Sequence, residues 1–173
     1  MQRWQLDAAL AAAAAASGEN EFILVGSQSV HAHTDAAPVE VLISRECDIW
    51  AKARFEKLAM LEDVLGKKSA FAETNGYYVD PIPPDLVVLP KDWESRLKAM
   101  HAGPITAWCL EVNDLVVSKL AAGRLKDYEF IHAMLRLKLA QFDEVIRRIQ
   151  TFSDPHQQAV LLARLRISSE TIP

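Results

Sequence analysis

Phe22-Ile23-Leu24-Val25-Gly26-Ser27 and, further along, Glu46-Cys47-Asp48-Ile49-Trp50 are the stretches on which the fold turns. The first is a short apolar run closed by glycine, the pattern of a buried strand. Ser27 then reads as the cap of a helix running through Val30 to about His33. A strand that ends in Gly-Ser and opens a helix offers free N–H groups and a partial positive charge to a phosphate, and the glycine lets backbone approach a ligand closely. A capped turn with no ligand has the same sequence. In the second stretch Glu46 and Asp48 stand two apart on a strand, so their carboxylates share a face. Adjacent carboxylates repel, and a divalent cation such as Mg²⁺ relieves the conflict by taking oxygen ligands of this kind. An edge strand with one polar, solvated face is the other reading of the acidic pair.

Outward from these stretches the chain reads as a globular α/β protein. Its 173 residues, half of them hydrophobic, suit one domain or a compact core with a small appended part. A net charge of −4 argues against a global field for nucleic acid, leaving only local basic patches. The two cysteines, Cys47 and Cys109, lie in separate apolar stretches with no zinc spacing and read as buried hydrophobes. No apolar run is long enough for a membrane span, and Asp7 and Gly18-Glu19-Asn20-Glu21 flank the alanine run from Ala8 to Ala16 in a way no signal peptide does. The cytoplasm is the expected compartment. Residues 2–16 are expected to form a helix ended by Gly18.

Thr34 to Pro38 reads as loop, Val39–Ile43 and Cys47–Trp50 as strands with Ser44-Arg45 as an irregular joint, and 54–66 as a helix through Phe55, Leu58, Leu61 and Leu65. Short strands are expected at Gly76–Val79, Leu86–Leu89 and Ile105–Leu110, in a region punctuated by prolines. From Asn113 onward the pattern is helical, as three or four helices. This order predicts an α/β (α+β) protein with a small mixed β-sheet core flanked by helices over 1–110 and a helical C-terminal part over 111–173.

Gly-Ser at a strand–helix turn followed by an acidic-x-acidic strand resembles the polymerase-β-like nucleotidyltransferase superfamily. The resemblance sharpens in Leu89-Pro90-Lys91-Asp92-Trp93-Glu94-Ser95-Arg96-Leu97, in Cys109-Leu110-Glu111-Val112-Asn113-Asp114-Leu115 and in Ser118-Lys119-Leu120-Ala121-Ala122-Gly123-Arg124-Leu125-Lys126-Asp127. These are similar to uncharacterised bacterial nucleotidyltransferase-like proteins related to the toxins of AbiEii-type toxin–antitoxin systems, over about Phe22 to Leu135.

The resemblance implies that Gly26 and Ser27 hold the phosphates of an NTP and that Glu46 and Asp48 hold Mg²⁺ or Mn²⁺. Asp80 is the candidate third carboxylate, with Asp85 as runner-up. Lys119, Arg124 and Lys126 are candidate phosphate ligands, with Asp127 orienting a cation or a base. Gly123 is the expected helix break that lets Lys119 and Arg124 converge. The implied reaction moves a nucleotidyl group to a hydroxyl of RNA (a tRNA, for instance) or of a protein, and a cognate antitoxin is an implied partner. The stretch from Gln28 to Arg45 is longer than usual for the superfamily, and Glu46 stands where Asp is commoner. The alternative is a non-catalytic member of the same fold that binds nucleotide or a partner protein. His31 and His33, two apart on a helix, point away from each other and are left outside the site. Trp93 and Trp108 are expected to pack in the core or at its margin.

Overall fold

A computed structural model describes residues 1–52 and 58–170. The chain divides into two compact units, one formed by Met1–Val87 with Leu97–Leu110 and the other by Val88–Arg96 with Glu111–Pro173.

The first unit is built on a five-stranded mixed sheet. Its strands are β1 (Glu21–Leu24), β2 (Glu46–Ala51), β3 (Tyr78–Pro81), β4 (Lys98–Ala102) and β5 (Ile105–Cys109), in the order β3-β2-β1-β5-β4. β1 pairs antiparallel with β2 and parallel with β5; β2 pairs parallel with β3, and β4 antiparallel with β5. The register puts Phe22, Leu24, Cys47, Ile49, Ala107 and Cys109 on one face, and all six are fully buried. Helix α1 (Arg3–Ser17) packs against β3, β4 and β5. It buries Leu6, Ala9, Leu10 and Ala13 completely, a stripe at helical spacing, and ends at Gly18 with φ 70° as glycine permits. Both cysteines are buried free thiols in this core; burial pushes the Cys109 thiol up to about 12 and raises the Cys47 thiol well above its ordinary value.

Several local expectations are corrected. Val39–Ile43 is not a strand: Val39–Leu42 forms a short helix, α2, opened by Pro38, whose carbonyl accepts the Val41 and Leu42 N–H groups. The β-branched run suggested a strand, but in the helix Val39 and Ile43 share an exposed face and only Val41 turns inward. Leu86–Leu89 is no strand either. Pro84 starts a 3₁₀ turn, Pro84–Leu86, and prolines on both sides keep the segment out of a ladder. Ser27 does not cap the turn after β1. Gly26 occupies the cap position, and Ser27–Ala32 is a 3₁₀ helix. Strand β4 carries almost no apolar signal, since only Met100 is buried in it, as befits a sheet edge. The turn at Gly103, with φ 60°, joins it to β5 as a hairpin. Two further helices, α3 (Leu58–Leu65) and α4 (Ala70–Asn75), complete the unit. Of the helix expected over 54–66, Phe55 lies outside the described residues. Ser69 caps α4 by accepting the Ala72 N–H.

Among the described residues the second unit contains four α-helices, α5 (Val112–Ala122), α6 (Leu125–Arg136), α7 (Phe142–Ile149) and α8 (Pro155–Glu170). Glu111 caps α5 through the Asn113 and Asp114 N–H groups. Gly123, at φ 63°, ends α5, and Arg124 opens α6 directly after it. Among the described residues no helix is long and apolar enough to cross a membrane.

Candidate metal and nucleotide site

The sheet register assembles the acidic cluster. β2 runs beside β3 with Glu46 opposite Tyr78 and Asp48 opposite Asp80, so residues of one pleat face meet across the strands. Glu46, Asp48 and Asp80 are all half-buried, and one carboxylate oxygen from each lies within 4.8 Å of the others. Asp85, by contrast, sits in the 3₁₀ turn after β3. The Tyr78 hydroxyl donates to Glu46 Oε1 at 3.0 Å, a contact the sequence reading did not identify. Burial, followed by the Glu46, Asp80 and Asp48 charges and the bond to Glu46, pushes that phenol well above its ordinary value, so it stays a donor.

Gly26 meets this cluster from the neighbouring strand. The Val25 N–H donates to the Asp48 carbonyl, which continues the β1–β2 ladder to the turn. A Cβ built on Gly26 would lie 1.6 Å from Asp48 Oδ2 and 2.4 Å from its carboxyl carbon. Glycine is required here by the Asp48 side chain, at a φ of −91° that any residue could adopt. Ser27 is buried beside it, with its Oγ accepting from the Gln28 amide at 3.4 Å. Gln28 is fully buried and also donates to the Val41 carbonyl, which ties the Gly-Ser turn to α2. The long stretch between the turn and β2 is thus taken up by α2, and β2 still returns to place Asp48 against Gly26. His31 Nε2 pairs with the Met1 carbonyl and His33 Nε2 with the Leu110 carbonyl, so both imidazoles serve backbone.

In the second unit the helix break gathers a different set. Asp127 is buried at the start of α6 and accepts the Arg124 backbone N–H at 3.1 Å, closing the first turn. Its carboxylate also receives Arg124 Nε at 2.8 Å and Nη2 at 3.1 Å, while Lys119 Nζ stands 3.6 Å away, largely buried. Burial works to raise the Asp127 carboxyl, but the Arg124 hydrogen bond and the two cationic charges outweigh it and hold the group below its ordinary value. Lys119 Nζ lies 5.7 Å from the Phe130 ring centroid. Lys126 is exposed in the first turn of α6.

Asp114 is a second buried carboxylate of this unit. It is fully enclosed, accepts Arg96 through two bonds of 2.8 and 3.1 Å, and pairs with Arg148 at 3.0 Å. Burial raises its carboxyl above the ordinary value, against the Arg96 bond and the two arginine charges. Arg96 and Asp114 both stand in the motifs quoted above, but their partnership needed the fold to show it.

The chain matches a family described as a nucleotidyltransferase of unknown function (DUF6036) over residues 4–163. The chain belongs to that family. The match spans both units and takes in Gly26-Ser27, the three clustered carboxylates and the Lys119–Asp127 stretch. No curated protein and no solved structure matches the chain significantly.

Proposed function

We propose that this nucleotidyltransferase family member transfers a nucleotidyl group from an NTP to a hydroxyl of RNA or of a protein, using a divalent cation held by Glu46, Asp48 and Asp80. The observation that carries the reading is the convergence of these three carboxylates within 4.8 Å, with Asp48 packed on Gly26 at the strand-to-turn junction. Three hard oxygen donors this close suit Mg²⁺ or Mn²⁺. Bound there, the cation would supply neutralising charge for phosphate and lower the pKa of the acceptor hydroxyl.

The residues of the chain supply the rest. The backbone at Gly26 and Ser27 offers N–H groups to phosphate oxygens. Tyr78 orients Glu46 through its hydrogen bond and, being un-ionised, adds no further negative charge. Lys119 and Arg124 contribute cationic donors for phosphate, as a point charge and as a fork respectively, with Asp127 fixing both. Lys126 is the third cation of that stretch. In the reaction the acceptor oxygen attacks the α-phosphorus, the bond to the bridging oxygen of pyrophosphate breaks, and the hydroxyl proton passes to solvent. An antitoxin partner and kinship with AbiEii-type toxins belong to the same proposal, on the strength of the motif resemblance.

The test is transfer of label from α-³²P NTPs, offered one at a time with Mg²⁺ or Mn²⁺, to total RNA or to a protein extract. Label in one acceptor class, abolished by chelation and by Asp48→Ala, is the expected result. Label transferred equally by Asp48→Ala contradicts the assignment.

A further inference from the structure

The second unit contains a cavity of about 620 Å³ between the end of α6, the connection to α7 and the last turn of α8. His132, Leu135, Arg136, Lys138, Gln141 and Phe142 contribute most of its wall, and among the described residues no acidic one lines it. Its volume is in the range of sites for small organic ligands.

Its polarity follows from the charges and the helix end around it. Arg96, Arg124, Arg147 and Arg148 of this unit each pair with a carboxylate, whereas Arg136 and Lys138 form no ion pair among the described residues. Helix α7 begins at the cavity with no side chain capping its first N–H groups, which leaves donors and a partial positive charge at the rim. Asp143 and Glu144 follow in that first turn, but neither lines the cavity and Glu144 is engaged by Arg147 and Arg148. Lys138 stands at φ 57°, a left-handed position after a helix where glycine or asparagine is usual. The half-buried Phe142 and Leu135 of the same wall present apolar surface, and an aromatic ring accepts a nucleobase by stacking.

We propose that this cavity is a second ligand site that takes a nucleoside phosphate, with Arg136 and Lys138 on the phosphate and Phe142 against the base. The chemistry is shared by a free mononucleotide and by the phosphorylated terminal nucleotide of an RNA strand. The site does not depend on Glu46, Asp48 or Asp80, so its failure and theirs are separable.

Binding of AMP, inorganic phosphate, a 5′-phosphorylated RNA pentamer and a poly-glutamate peptide to the full chain, measured calorimetrically in EDTA, tests it. AMP or the pentamer should bind the parent and Asp48→Ala alike. The double variant Arg136→Gln/Lys138→Gly should weaken that binding by about tenfold or more, as expected for loss of charge-assisted hydrogen bonds. Phosphate alone should bind more weakly than AMP. Tighter binding of the pentamer than of AMP assigns the site to a strand end, and equal binding assigns it to the free nucleotide. Lys138→Gly alone relieves the left-handed strain, so its melting temperature should match or exceed the parent's while AMP binding falls. The proposal is overturned if neither nucleotide ligand binds, if the double variant binds undiminished, or if the acidic peptide binds as tightly as AMP. A fall in melting temperature with no change in binding would reduce both cations to partners of the α6 dipole.

Discussion

The first unit gathers three carboxylates within 4.8 Å of one another, whereas the second sets each buried carboxylate between two cations. Asp127 lies between Lys119 and Arg124, and Asp114 between Arg96 and Arg148. A carboxylate held between cations in a closed site is part of the scaffold, because removing it leaves charges with nothing to meet. Three carboxylates brought together on β2 and β3, half-buried and open to water, form instead a set of oxygen donors that a divalent cation could share. The difference separates carboxylates that hold cations in place from carboxylates placed to hold a ligand.

The largest effect that would break this contrast is at Asp114. Asp114→Ala leaves Arg96 and Arg148 around a site where the carboxylate was fully enclosed, and should cost about 3–5 kcal/mol in urea unfolding. Asp48→Ala removes a half-buried carboxylate that keeps access to water, and should cost less than Asp114→Ala. Equal losses would erase the distinction.

Gly26→Ala comes next. The added methyl would overlap the Asp48 carboxylate, which must rotate away or force the strands apart, at about 1–3 kcal/mol. In the Asp48→Ala background the same change should cost less, though not nothing, since the position of the Asp48 Cβ is itself 2.8 Å from the new atom. A double-mutant cycle with no coupling would show that Gly26 and Asp48 do not constrain each other.

The smallest effect concerns pH. The Asp127 carboxyl is held below its unfolded value, so its contribution to stability is complete above about pH 5 and disappears as pH falls through the lowered folded pKa. Asp114, held above its unfolded value by burial, acts with opposite sign: it costs stability as pH rises from the ordinary carboxylate range to its folded pKa. Asp127→Asn should therefore flatten the loss of stability as pH falls below the ordinary carboxylate range. An unchanged acid limb would show that Asp127 is not held low.

Much of this was legible in the chain, for identifiable reasons. Gly18 and Gly123 stop helices because a left-handed cap favours glycine, and β1, β2 and β5 announce themselves as apolar runs. The pairing of Glu46 with Asp48 follows from strand periodicity alone, and Asp80 was reached only as a candidate because its place depends on β3 pairing with β2. The strand misassigned at Val39–Ile43 failed because β-branched composition says nothing of the Pro38 carbonyl that starts a helix there. β4 was missed because an edge strand needs little apolar surface. The reason for Gly26 was only half visible: the sequence suggests room for a ligand, and the fold shows that the room is already occupied by Asp48. Arg96 meeting Asp114 crosses from one motif to another, and only tertiary structure brings such residues together.

The most direct test of the central claim is thermal stabilisation by NTP with and without Mg²⁺ or Mn²⁺, compared between the parent and Asp48→Ala. A ligand present at about 100 times its Kd stabilises the folded state by roughly 2.7 kcal/mol. The parent should gain that much only when nucleotide and metal are both present, and Asp48→Ala should show almost none of the metal-dependent gain. Equal metal-dependent stabilisation of both proteins would contradict the assignment of Glu46, Asp48 and Asp80 as the cation's ligands.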